Sequence, residues 1–176
     1  MCRKWRSRGD NCCKNRSSFT GPCWQKNRRT PKIRHEVARA YHRVADIQRM
    51  LGDFTEADQS YQQTVERLQH LIHEFPDDPE YRHQLGITYD YWAESMRFGQ
   101  QAERQYRSAL QLQQELAIDH SERACYIFEY ARNCNNFGIL LKDTGRLEEA
   151  EQSLEEARRM LGKLAQQFPN ELAYHG

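Results

Sequence analysis

The stretch Leu68-Gln-His-Leu71-Ile-His-Glu-Phe75-Pro76 returns later in the chain as Leu161-Gly-Lys-Leu164-Ala-Gln-Gln-Phe168-Pro169, 93 residues on. The same shift carries Gly52 onto Gly145, Ala57 onto Ala150, Asp58-Gln-Ser onto Glu151-Gln-Ser and Tyr81 onto Tyr174. So many matches at one spacing mark an internal repeat, which takes precedence over any local reading. A middle copy divides the interval: Ala57-Asp-Gln-Ser-Tyr61, Ala102-Glu-Arg-Gln-Tyr106 and Ala150-Glu-Gln-Ser-Leu154 align at offsets of 45 and 48. Each of these runs opens a helix, and a further helix lies before each. Pro169-Asn-Glu-Leu-Ala-Tyr174 matches Pro76-Asp-Asp-Pro-Glu-Tyr81, so a fourth copy is expected to begin over 170–176.

Local chemistry agrees with paired helices. Thr30-Pro31 sets an N-cap residue before a proline in the first helical position, where its missing N–H costs nothing. Ile33, Val37, Tyr41, Val44, Ile47 and Leu51 then recur on one face of a 3.6-residue period. Gly52 can adopt the left-handed conformation that ends such a helix. Thr55 is the expected cap of the second helix, with Asp58 three residues on as an approximate capping box. That helix carries Ala57, Tyr61, Val65, Leu68, Ile72 and Phe75 as its stripe and stops at Pro76. Asp78-Pro79 restarts the cycle, with Tyr81, Leu85, Tyr89, Trp92 and Met96 facing inward. Its partner carries Ala102, Tyr106, Ala109, Leu110 and Leu116. Ser121 is the expected cap of the fifth helix, with Ala124, Phe128, Ala131, Cys134 and Leu141 buried and Gly145 at its end. Ala150, Leu154, Ala157, Leu161 and Phe168 form the sixth stripe. No segment of alternating polarity with β-branched enrichment competes, so the expected class is all-α.

The arrangement resembles the tetratricopeptide repeat, a helix-turn-helix unit with small residues where its two helices cross. The first-helix pair of bulky and small residues is Val44-Ala45 in copy one and Phe137-Gly138 in copy three, whereas copy two departs with Tyr89-Asp90. The second-helix trio is Ala57, Tyr61, Thr64, then Ala102, Tyr106, Ala109, then Ala150, Leu154, Ala157. The resemblance implies a right-handed solenoid of helical hairpins, with repeats at 31–76, 77–119 and 120–169 and a truncated fourth at 170–176. The family period is about 34 residues, and the surplus here falls at the end of the second helix, implying a longer second helix in each pair. Lengthened repeats with a junction like Phe75-Pro76-Asp77-Asp78-Pro79-Glu80-Tyr81-Arg82 are similar to those attached to large bacterial serine/threonine kinases. The stretch from Arg34 to Gly52 is similar to them as well. A regulatory fragment of such a kinase is therefore an alternative to a free-standing scaffold.

Charge divides the chain of 176 residues in two. Residues 1–34 hold eleven of its 26 Lys and Arg and one of its 25 acids, leaving 15 bases against 24 acids in the remainder. The expected boundary is near Thr30, between a basic leader, disordered over 1–30, and the array. Cys2, Cys12, Cys13 and Cys23 lie in that leader at spacings that match no C-x₂₋₄-C zinc motif. Nucleic-acid binding is expected only through residues 1–34, by phosphate contacts with Trp5, Phe19 and Trp24 stacking on bases. The competing account of that segment is a leader with no function of its own. No run approaches the roughly 18 apolar residues of a bilayer span, and the basic start lacks the apolar stretch of a secretory signal. Cytoplasmic placement is the default expectation.

Catalytic and nucleotide-binding signatures are absent, among them G-x-G-x-x-G, G-x-x-x-x-G-K-[ST], H-E-x-x-H, G-x-S-x-G and the kinase sequences His-Arg-Asp and Asp-Phe-Gly. A non-enzymatic chain without cofactor or metal is expected. His70 and His73, with His83 as a third ligand, and the pair His35 and His42 are read as helix faces rather than metal sites. Cys125 and Cys134 are read as small, partly buried apolar residues. The run Glu148, Glu149, Glu151, Glu155 and Glu156 is the exposed side of a helix whose first turn favours acids.

In the family that the repeat resembles, the first helix of each pair lines a concave surface that receives an extended peptide or a helix. By matched position that surface comprises Arg39, His42, Arg43, Asp46 and Arg49 from copy one, and Gln84, Thr88, Tyr91 and Glu94 from copy two. Copy three adds Arg132, Asn135, Asn136, Ile139 and Lys142. Arginine and asparagine present several donors in fixed geometry, which suits carboxylates. The expected partner is a protein or peptide, acidic or ending in a carboxylate. Self-association through uncapped solenoid ends is also expected, since an unpaired end leaves apolar surface exposed.

Overall fold

The computed structural model describes residues 30–96 and 99–169, and the leader, its cysteines and aromatics, and the fourth copy lie outside the described residues. Six helices follow one another: α1 (Pro31–Leu51), α2 (Phe54–Glu74), α3 (Pro79–Ser95), α4 (Gln100–Asp119), α5 (Ala124–Asp143) and α6 (Leu147–Gln167). No strand occurs among the described residues. The helices pack as three antiparallel pairs, α1 with α2, α3 with α4 and α5 with α6, and each pair stacks on the next through α2 against α3 and α4 against α5. The protein is an all-α solenoid of helical hairpins.

The turns inside the outer pairs are made by glycine. Gly52 at φ 87° and Gly145 at φ 80° take the left-handed conformation, and each sends its N–H back to the preceding turn, to Arg49 and Lys142. The next residue in each case, Asp53 or Arg146, bonds to Gln48 or Leu141, which completes the doubly bonded helix ending. At the N-termini, Asp78 accepts from the Glu80 N–H ahead of Pro79, as expected. Two expected caps are not used. α2 begins at Phe54 behind Asp53, so Thr55 lies inside the helix, and α5 begins at Ala124 behind Arg123 rather than Ser121. A side chain that can cap does not fix the start when tight backbone geometry before it already does.

Lengthening is shared by both helices of a pair. First helices run to 21, 17 and 20 residues and second helices to 21, 20 and 21. The expectation placed the surplus in the second helix alone. An antiparallel hairpin cannot extend one arm without leaving its apolar stripe bare, so both arms grow together. At the open end of the first hairpin, Arg34 clamps Glu74 with two bonds of 2.7 and 2.8 Å.

Most inward stripes match expectation, with Tyr61, Leu68, Tyr81, Leu85, Trp92, Ala102, Tyr106, Ala109, Leu116, Ala131, Leu141, Ala150 and Ala157 all buried. α1 is turned over. Its buried face is Ala38, His42 and Ala45, while Ile33, Val37, Val44, Ile47 and Leu51 lie exposed. Small residues face α2 because the two backbones approach closely there, and the branched stripe points outward. Phe128 and Leu161 are likewise more exposed than expected, and Met160 and Leu164 carry the packing of α6. Cys134 is buried, its thiol pushed by burial to about 11, whereas Cys125 is exposed rather than partly buried. His70 and His73 lie on an exposed face, and no cluster able to hold a metal is found among the described residues.

Candidate functional site

The first helices α1, α3 and α5 lie side by side, and their shared face hollows into a groove. A cavity of about 290 Å³ is lined there by Arg39, His42, Arg43 and Asp46 of α1, Gln84, Ile87 and Tyr91 of α3, and Glu129 and Arg132 of α5. Seven residues named from sequence therefore meet around one hollow: Arg39, His42, Arg43, Asp46, Gln84, Tyr91 and Arg132. They meet because matched repeat positions point the same way when hairpins stack in register.

The floor is a polar network. Asp90, at 2% exposure, accepts from Arg132 Nη2 at 2.9 Å and from Asn136 Nδ2 at 3.2 Å, tying α3 to α5. Arg132 also meets Glu129 at 2.8 Å, donates to the Tyr91 hydroxyl at 3.1 Å and lies over its ring. Burial raises the pKa of the Asp90 and Glu129 carboxyls, and the guanidinium of Arg132 offsets only part of that rise. Burial opposes the charge of Arg132, but Glu129 and Asp90 outweigh it and raise its pKa. Its Nε, like that of Arg49, is buried without a hydrogen-bond partner among the described residues.

Across the groove, His42 is buried between hairpins. Its Nδ1 lies 3.2 Å from the Thr88 hydroxyl and its Nε2 3.4 Å from Asp46, and its ring meets those of Tyr61 and Tyr91 edge-on. The Tyr61 hydroxyl donates to Asp46 at 2.6 Å. Burial lowers the His42 pKa, against the pull of Asp46, and Arg132, Arg49 and Arg43 lower it further. Thr88 gives its hydroxyl proton to the Gln84 carbonyl at 2.7 Å, so Thr88 and Asp46 both face the ring as acceptors, and a neutral imidazole, with one N–H, donates to only one of them.

The groove is less basic than its arginines suggested. Arg39 pairs with Glu36, Arg49 with Glu94 and Arg132 with Asp90 and Glu129. Arg43 is exposed and forms no ion pair among the described residues. Asn136 is engaged in the floor, Thr88 is buried, and Asn135 and Ile139 are exposed on α5. Lys142 stands apart from the hollow, beside Leu147, Glu151 and Arg158 at the far end. Two lining residues escaped the sequence reading, Ile87 and Glu129. Glu129 lies three residues before Arg132 on one helix, and that spacing was the available signal.

Two stretches of the chain match family models described as tetratricopeptide repeat, residues 38–67 and 134–165. Both begin within a first helix and run into the second, so the matched units are the inner parts of the first and third hairpins. In the first hairpin the surplus turns, 31–37 and 68–74, flank the match at the open end. Comparison with curated proteins gave no match. Repeats of this family generally mediate protein–protein interaction and are typically non-enzymatic. No helix among the described residues is long and apolar enough to cross a membrane.

Proposed function

We propose that this tetratricopeptide-repeat chain is an interaction scaffold that receives an extended peptide or a helix of a partner protein in the groove of α1, α3 and α5. The observation that carries this reading is the convergence of Arg39, His42, Arg43, Asp46, Gln84, Tyr91 and Arg132 from three helices around one hollow. The chemistry of the ligand follows from what the hollow leaves open. Arg43 is exposed without an ion pair among the described residues, and Arg39 holds only a neighbouring exposed acid. Carboxylates satisfy such donors, while Ile87 adds one apolar side chain to the lining. An acidic peptide, or one ending in a free carboxylate, is the partner class.

Calorimetric titration with a peptide of acidic C-terminal sequence tests this. The double reversal Arg39→Glu, Arg43→Glu is expected to abolish binding, because it replaces two donors by like charge. Arg104→Glu, on an exposed face of α4, is expected to leave affinity unchanged. Unchanged affinity in the double variant would discard the groove assignment.

A further inference from the structure

His42 lines the groove and at the same time fills the contact between the first two hairpins. Both of its ring nitrogens face acceptors. Nδ1 lies 3.2 Å from the Thr88 hydroxyl, whose proton goes to the Gln84 carbonyl, and Nε2 lies 3.4 Å from Asp46 Oδ2. The other oxygen of Asp46 accepts from the Tyr61 hydroxyl, which holds the carboxylate in place. Neutral imidazole carries one N–H and leaves one acceptor unserved, whereas imidazolium carries two and serves both.

The surroundings decide whether a second proton stays. Burial opposes it most, Asp46 on the same helix favours it, and the guanidinium groups of Arg132 on α5 and of Arg49 and Arg43 on α1 oppose it further. Tyr61 of α2 and Tyr91 of α3 close the ring off edge-on. Two of the three cations are already answered, Arg49 by Glu94 and Arg132 by Asp90 and Glu129. Arg43 is exposed and forms no ion pair among the described residues, and Arg39, one turn before His42, meets the exposed Glu36. The positive charge left open beside the ring is the charge that an incoming anion would meet.

We propose that the groove takes its acidic peptide together with one proton, drawn from solvent and held on the His42 ring. The inference rests on the acidic-peptide reading of the groove and adds its regulation by pH. A carboxylate seated on Arg39 and Arg43 offsets the positive charge that opposes the second proton and brings a negative charge beside the ring. It adds little desolvation, because His42 is already only 8% exposed. The charged ring then donates to Asp46 on its own helix and to Thr88 on α3, which ties the two hairpins together under the ligand. Binding therefore tightens as pH falls from about 7.5 to about 6, where the peptide's own acids, near 4 when free, stay ionised. One linked proton limits the gain to about tenfold per pH unit.

Two measurements on the full chain with a peptide of acidic C-terminal sequence test it. Calorimetric titration is expected to show affinity about three- to tenfold higher near pH 6 than near pH 7.5. Proton NMR of the histidine rings, with and without saturating peptide, follows the His42 signal, recognised by its contacts with the rings of Tyr61 and Tyr91. Its titration midpoint is expected to rise by about half a unit to one unit when the peptide is bound. His42→Gln is expected to flatten the pH dependence of affinity, and a dependence that persists in that variant would overturn the inference. If the double reversal Arg39→Glu, Arg43→Glu abolishes binding and the His42 midpoint still fails to rise with peptide, the inference falls and the groove reading stands. No binding at either pH, or binding that the double reversal leaves unchanged, would overturn both.

Discussion

Where Ala45 lets α1 close on α2 and Gly138 lets α5 close on α6, the middle hairpin carries Asp90. The two solutions differ in kind. A Cβ at Gly138 would lie 2.8 Å from Leu154 Cγ, so the third crossing depends on an absent methyl group. In the middle pair the close approach has moved one turn back, to Gly86, whose Cβ would lie 2.9 Å from Gln113 Cγ of α4. Freed from that duty, position 90 turns to α5 and binds Arg132 and Asn136. The outer hairpins are therefore held by close packing, and the middle one couples to its neighbour through a buried carboxylate. That carboxylate also sets Arg132 against Tyr91, so the polar junction shapes the floor of the groove.

Removing the carboxylate should break this contrast most strongly. Asp90→Ala leaves Arg132 with Glu129 alone, and since that arginine is about a quarter exposed the expected loss is about 2–3 kcal/mol, somewhat below a fully buried pair. Chemical denaturation measures it, and the equivalent small-to-small change Ala45→Gly should cost about 1 kcal/mol. The two glycines separate next. Gly86→Ala must displace Gln113, which is buried and hemmed in, whereas Gly138→Ala displaces Leu154, which is half-buried and free to swing outward. Overpacking costs about 1–3 kcal/mol and the gain in helix propensity returns about 1 kcal/mol. Gly86→Ala should therefore lower the melting temperature most, and Gly138→Ala should lower it by less.

The smallest effect is the response to acid. Burial lowers the pKa of His35, His42 and His83, so the unfolded chain takes up their protons first. Their contribution is complete above the unfolded value of about 6.5 and is lost as pH falls below it. Asp90 and Glu129, raised by burial, act in the opposite sense and soften the loss at lower pH. Thermal unfolding should fall by a few degrees from about pH 7.5 to about pH 6, and His42→Gln should reduce that slope.

Much of this was legible from residue order. Repeat spacing located all six helices, and matched positions brought seven groove residues to one hollow. What was not legible has physical causes. The face of α1 was misassigned because a periodic apolar stripe says that one side is special, not which element covers it. Ala38 and Ala45 are too small to register as a stripe, yet close helix packing needs them. The role of Asp90 required knowing that Gly86 had taken over the crossing. The pairing of Arg132 with Asp90 was hidden because the two come from different helices. The leader and the fourth copy lie outside the described residues.

A double-mutant cycle between Asp90 and Arg132 tests the central claim that the middle junction is a polar coupling and not a packing contact. Asp90→Ala, Arg132→Ala and the double variant are compared by equilibrium unfolding. The account predicts a coupling energy above about 1 kcal/mol, within the range found for residues of one ion-pair network. Additive effects, with a coupling below about 0.3 kcal/mol, would contradict it.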